Sequence, residues 1–322
     1  MTAFDRKKMS IIANIQKHVS EKKWNCMNDN CEQMAINSHL LQRHGILDNI
    51  IENGHVYEIK RKDFFKWDQN GPVEFKRIGL NQALSLPLFC SKHDNELFRP
   101  IEQHIPDCSD YNTQLLFSYR AICAEIRRKE INIEITNRIK KSSSLLFPDD
   151  IATNLIEFNK VGIRDLTSYK KMIEEELSSP NKNFFFVCHR YDPIKIYASS
   201  SFNINSGTEM SDLNKILDCG FIHIIPTTIS TNIILGYHKQ HSNPFLENYI
   251  TSWKNLDNTD LGYKLTDLFL TRIEAWGLAP SLYTLLSETN KKKYLNTMKN
   301  QMQQSPQFTS EIKFNLFENI IE

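Results

Sequence analysis

The sequence predicts an α+β protein. A small metal-stabilised module is expected over residues 1–105, followed by a mostly helical domain over 106–322 with an antiparallel sheet around 184–237. Three observations carry this. Two close-spaced cysteine and Cys/His pairs fall in the first hundred residues: Cys26, Cys31, Cys90 and His93. From about residue 111 the apolar spacing turns to long helical runs, beginning "NTQLLFSYRAICAEIRRKEINIEITNRIKK". Between 184 and 237 lie the apolar runs "FFFVC", "IKIYAS", "FIHII" and "TNIILGY", each of strand length.

Taken in order, residues 3–20 read as a helix, with Ile11, Ile12, Ile15 and Val19 at helical spacing. A polar turn, "WNCMNDNCEQ", follows. Residues 38–53 predict a second helix, with Ser38 as its N-cap and "NG" as its stop. "HVYEIKR" and "VEFKRIGL" alternate as two strands around "DQNGP". A helix opens after "FCSKHD" and ends near Pro100. "FPDDIATNLIEFNKV" and "IRDLTSYKKMIEEELSS" predict two further helices, and Pro180 breaks the run. A short helix is expected at "SDLNKILDCG", and helices again from about 245 to the end.

With 39 basic and 38 acidic residues, the chain has no global polyanion-binding signature, so any such role must rest on a local patch. No run approaches the ~18 apolar residues of a membrane span, and the N-terminus lacks a signal peptide's apolar core; a cytoplasmic location is expected. Seven cysteines in a reducing compartment are not expected to form a disulfide framework.

"CMNDNC" supplies Cys26 and Cys31, and "FCSKHD" supplies Cys90 and His93. Two close-spaced pairs from distant segments make a Cys3His set suited to a tetrahedral structural Zn2+. The second pair opens a helix, where free N–H groups and the dipole stabilise thiolate. His39 follows in "AINSHLLQRHGIL", either as a fifth ligand or as a residue that the metal helps to position.

The order cysteine pair, histidine, hairpin, Cys/His pair resembles the HNH, or ββα-metal, nuclease family over about residues 24–102. "INSHLLQRHGIL" is similar to the segment that follows the first cysteine pair in some members. The resemblance implies a treble-clef-like ββα module with structural zinc on Cys26, Cys31, Cys90 and His93. It also implies His39 as the general base that activates water, and Asp94 as a ligand of a catalytic Mg2+ or Mn2+. The second pair is Cys-x-x-His where the family has a further cysteine, and Asn81 is the nearest counterpart of its middle asparagine. DNA or RNA would be the substrate, and a phage-defence or conflict role the context.

Lys60, Arg61, Lys62 and Lys66, interleaved with Phe64 and Trp67, are candidate nucleic-acid contacts on the hairpin, diluted by Glu58, Asp63 and Asp68. His44 and His55 read as helix and strand-start residues, Glu96 and Glu102 as helix-dipole complements, and Cys188–His189 as core. Phosphate-loop, dinucleotide, nucleophile-elbow and HExxH motifs are absent. Two functions follow: a divergent metal-dependent nuclease, or a non-catalytic zinc-stabilised module that binds nucleic acid or a protein partner. In either, the C-terminal domain is a candidate surface for a protein partner.

Overall fold

The computed structural model describes residues 3–62, 71–102, 106–142, 148–204, 215–303, 312 and 314–321. It is α+β, with antiparallel sheets among eight helices in these residues. Helix α1 (Ala3–Ser20) buries Ile15 and Val19, two members of its predicted apolar face. A two-stranded sheet pairs β1 (Asn37–His39) with β4 (Ser85–Pro87), and α2 (Ser91–Glu102) follows β4 directly. Between β1 and β4 the chain makes the hairpin β2 (His55–Arg61) and β3 (Val73–Gly79).

The main sheet has seven strands in the order β3-β2-β9-β6-β7-β8-β5. Here β5 is Phe184–Tyr191, β6 Ile196–Phe202, β7 Gly220–Pro226, β8 Thr231–His238 and β9 Trp276–Leu278. The three residues of β9 join the N-terminal hairpin to the C-terminal strands. Gly277 pairs with Glu58 on one side and Tyr197 on the other. One sheet therefore runs across the boundary expected at 105/106, because both halves contribute strand edges to it.

Two long helices complete the frame. Helix α3 (Tyr111–Ser142) buries most of Thr113–Arg127 and lays this half on β6 and β7. Its second half packs against α4 (Asp149–Ser178) and α1. Of the remaining helices α5 (Pro244–Thr251), α6 (Asn258–Thr271), α7 (Pro280–Leu285) and α8 (Glu288–Gln303), α5 packs on β8, α7 on β2 and α8 on β3, with Asn243 and Asp257 as side-chain N-caps of α5 and α6. Among the described residues no helix is long and apolar enough to cross a membrane.

Several expectations are corrected. Residues 38–53 are not a helix. Ser38 lies buried in β1, where its Oγ accepts from the Phe89 N–H (3.4 Å), and only Leu47–Asn49 makes a 3-10 turn. Leu40, Leu41, Ile46, Leu47 and Ile50 are all buried, more than one helical stripe can hide, and Gly45 turns the chain at φ +109°. The two helices expected at 147–179 are one continuous α4. Gly162 does not break it, since this glycine faces the Lys129 side chain of α3 and lets the helices approach. Residues 211–214 of the short helix expected before β7 lie outside the described residues, and 215–219 are irregular. The C-terminal helices are interrupted by β9.

Candidate metal centre

Residues 24–35 form a tight hairpin-like knuckle. Ala35 N–H donates to the Trp24 carbonyl (2.8 Å) and Cys26 N–H to the Gln33 carbonyl (2.8 Å). Cys31 N–H closes the turn on the Asn28 carbonyl (3.2 Å), and Asn30 takes φ 61°, a left-handed conformation that asparagine tolerates. The knuckle is tied to the chain entering α2 by Met27 N–H to Leu88 O and Ile36 N–H to Phe89 O, both 2.8 Å. Arg127 of α3 donates to the Asn25 carbonyl (2.6 Å), and buried Lys170 of α4 pairs with Asp29 (2.7 Å). Both long helices thus brace the knuckle from outside.

At the start of α2 the Cys90 carbonyl accepts the Asp94 N–H (2.9 Å), which places Cys90 at the helix entrance and His93 in its first turn. The ligand atoms of Cys26, Cys31, Cys90 and His93 all lie within 4.8 Å of one another. Cys26 Sγ is 3.5 Å and Cys90 Sγ 3.3 Å from His93 Nδ1, and Cys31 Sγ is 3.9 Å from Cys90 Sγ. A tetrahedral zinc with bonds of about 2.3 Å to sulfur and about 2.0–2.1 Å to nitrogen has S–S edges of about 3.8 Å and S–N edges of about 3.5 Å. The four side chains match these edges, so the group is able to hold a metal ion such as zinc. Burial pushes the Cys26 thiol up. Burial opposes ionisation of Cys90 as well, but the His93 N–H and the neighbouring thiols outweigh it, and this thiol lies below the ordinary range.

His39 is not part of this group. It ends β1, opposite Ser85 of β4. Its Nε2 lies 3.1 Å from the Leu80 carbonyl, which can only accept, so the proton sits on Nε2 and Nδ1 keeps its lone pair. Burial lowers the His39 pKa below the usual histidine value. The Leu80 carbonyl and Asp94 act the other way, and the charges of Arg120 and Arg43 reinforce the lowering.

Asp94 sits in the first turn of α2, one residue past the Cys/His pair, within electrostatic reach of His39. Its Oδ1 is 3.5 Å from Arg120 Nη2, which also donates to Glu102 Oε1 (2.6 Å). Arg120 is fully buried, its guanidinium lies 3.8 Å over the Phe98 ring, and its Nε and Nη1 have no hydrogen-bond partner among the described residues. Sequence reasoning missed Arg120, and a signal was there: it is a lone cation inside the apolar run "LLFSYRAIC". Long apolar helices seldom bury an arginine without a specific use. Among the described residues no second group of three or more metal-ligating side chains is assembled.

The expected basic stretch is only partly placed. Lys60 is bound by buried Glu58 (2.6 Å), and Arg61 alternates to the opposite face of β2 from Lys60. Lys62 follows the strand, and Lys66, with Phe64 and Trp67, lies outside the described residues. Asn81 is exposed; its carbonyl accepts from Ser85 Oγ. His44 pairs with Asp48 on the surface (3.2 Å), and His55 begins β2. The hydroxyls of Thr227 and Ser230 bond within their own turn.

Comparison with known protein families, with curated proteins and with solved structures found no match for this chain.

Proposed function

We propose that the chain is a metal-dependent phosphodiesterase of the HNH type acting on DNA or RNA, with zinc on Cys26, Cys31, Cys90 and His93 as architecture. One observation carries the reading. β1, β4 and α2 form a ββα unit in which His39 ends the first strand, the Cys/His pair opens the helix, and Asp94 follows at once. Zinc on the Cys/His pair would anchor the helix entrance and so hold Asp94, within electrostatic reach of His39, on a rigid frame.

The chemistry assigned to the chain's own groups is limited and specific. The Leu80 carbonyl holds the His39 proton on Nε2, which leaves Nδ1 to take a proton from an attacking water. The lowered pKa keeps the imidazole neutral near pH 7, the form a general base needs. Asp94 is the candidate carboxylate ligand for Mg2+ or Mn2+. Mg2+ commonly takes one or two carboxylates plus substrate phosphate and waters, so a single protein carboxylate is a workable donor set. When bound, such an ion stabilises charge on the phosphoryl oxygens. Arg120 orients Asp94 and Glu102 through their shared Nη2 contact.

The test is cleavage of plasmid DNA and of RNA with added Mg2+ or Mn2+. His39→Ala is expected to abolish cleavage while zinc content and melting temperature are retained. Loss of zinc in this variant would make His39 a ligand and remove the base. The Asp94–Arg120 contact favours a second reading, a zinc-stabilised binding module without catalysis, in which Asp94 serves only this ion pair. Retention of nucleic acid without cleavage under any divalent ion would select it. A role in phage defence is the context we propose for either.

A further inference from the structure

We infer that the groove between α1, α3 and the β1/β4 ribbon is a pocket for an unpaired nucleobase, so that the substrate class is single-stranded nucleic acid. The inference rests on the nucleic-acid reading above but uses residues that reading leaves idle. The groove encloses ≈ 410 Å³, with a wall built from Gln16 and Val19 of α1, Trp24, Asn37, Pro87 and Ile135, and a separate cavity of ≈ 490 Å³ lies elsewhere in the chain. The larger cavity lies along strand β5, far in sequence from the proposed chemistry, and its wall of five consecutive residues follows a strand edge. The smaller one touches β1 itself.

Position is the first argument. Asn37 and His39 are two apart on β1, so their side chains leave the same face of the strand, about 7 Å apart along it. Their cross-strand partners, Pro87 and Ser85, continue that face on β4. A base seated against Asn37 and Pro87 therefore places its own backbone within one nucleotide of His39.

Chemistry is the second. Trp24, Pro87, Val19 and Ile135 offer apolar surface for the face of a base, while the Gln16 and Asn37 amides each offer a donor and an acceptor for its edge. Lys23 also lines the groove and is exposed, so a phosphate can reach it. Lys22 Nζ sits 4.3 Å over the Trp24 ring and 2.8 Å from Glu134, and Arg127 lies 4.9 Å from the same ring, so the indole is held in place before any ligand arrives. The volume falls within the range of about 300–1,000 Å³ usual for small-molecule sites. A paired base cannot enter such a groove without leaving its stack, and an unpaired one can.

The experiment uses the full chain without added divalent ions and reads fluorescence anisotropy of labelled ten-residue probes: single-stranded DNA, single-stranded RNA of the same sequence, and the blunt DNA duplex. One or both single strands should bind roughly tenfold more tightly than the duplex, the scale of one base–aromatic stack. Ile135→Trp, which fills the groove, should erase that preference. Lys23→Glu, at the exposed rim, should weaken the single strands roughly tenfold even if the filled variant fails to fold. Equal binding of duplex and single strands, or wild-type binding by both variants, would overturn the inference. The two single-stranded probes distinguish DNA from RNA. Groove-dependent binding without any cleavage would sink the nuclease reading alone; His39-dependent cleavage that ignores both groove variants would sink the pocket alone.

Discussion

His39 and His223 show how one residue type is put to different use by its surroundings. His39 is half-buried beside two arginines and one carboxylate, and its lowered pKa has a kinetic consequence. If it is the base, the acid limb of a cleavage pH profile should turn below about 6.5, the ordinary histidine value. An inflection above that value would show that another group controls the limb. His223 is fully buried between α3 and the sheet. Ser118 Oγ donates to the Gln114 carbonyl (2.8 Å) and so accepts from His223 Nε2 (3.2 Å), whereas Ser199 Oγ donates to Nδ1 (3.0 Å). That arrangement suits a neutral ring, and burial drops its pKa from 6.5 to about 3. The unfolded chain therefore binds a proton first as pH falls. The stability from a neutral His223 is complete above about pH 6.5 and is lost progressively toward pH 3, by up to roughly 5 kcal/mol. Urea unfolding of the wild type and of His223→Gln between pH 7 and 4 measures this, and the variant should show the shallower pH slope.

At the scale of elements, the knuckle and α2 depend on one another. The 24–35 hairpin meets the start of α2 through a few backbone bonds and the four ligands, whereas Leu88, Phe89 and Phe98 bury the α2 side in the core. Cys31→Ser, at the most accessible of the three thiols, should lower bound zinc from about one ion per chain toward none, as measured by elemental analysis. It should also release the α2 entrance to fast amide exchange. Wild-type zinc content in that variant would contradict the assigned ligand set. The sequence shows both half-sites plainly because ligand spacing is local. It hides β1, since three residues are too few to establish alternation, and the helical spacing of the apolar residues after it points to the wrong element. Leu40, Leu41 and Leu47 are all fully buried, although no α-helix carries them.

Across the whole molecule, the centre row of the sheet links the two halves. Glu58, Gly277 and Tyr197 lie side by side on β2, β9 and β6. Tyr197 reaches across the glycine to donate to buried Glu58 (2.7 Å), and the same oxygen accepts the Leu84 N–H (2.8 Å). Leu84 is held at φ 38°, a left-handed conformation unfavourable for leucine, and its carbonyl accepts the Leu40 N–H next to His39. A Cβ on Gly277 would lie 2.4 Å from the Tyr197 ring. Gly277→Ala should therefore displace Tyr197 and cost about 1–3 kcal/mol in urea unfolding. Tyr197→Phe should cost a similar amount, about 1–3 kcal/mol, by leaving Glu58 short of a donor. If the row also positions His39, Tyr197→Phe will shift the acid limb of the pH profile; an unmoved limb would confine the row to stability.

The Cys3His set, the long helix from about 111 and the four strands between 184 and 238 are legible in the sequence, because ligand spacing and apolar period are written over a few neighbouring residues. It takes the folded chain to show that both halves share one sheet through three residues of β9, that Arg120 binds Asp94 and Glu102, and that His39 ends a strand rather than entering a helix. Those features depend on partners far apart in the chain, such as Arg120 with Glu102 at 18 positions and Glu58 with Tyr197 at 139. No local pattern encodes which distant strand or carboxylate a side chain will meet; that follows from how the whole chain buries its apolar surface.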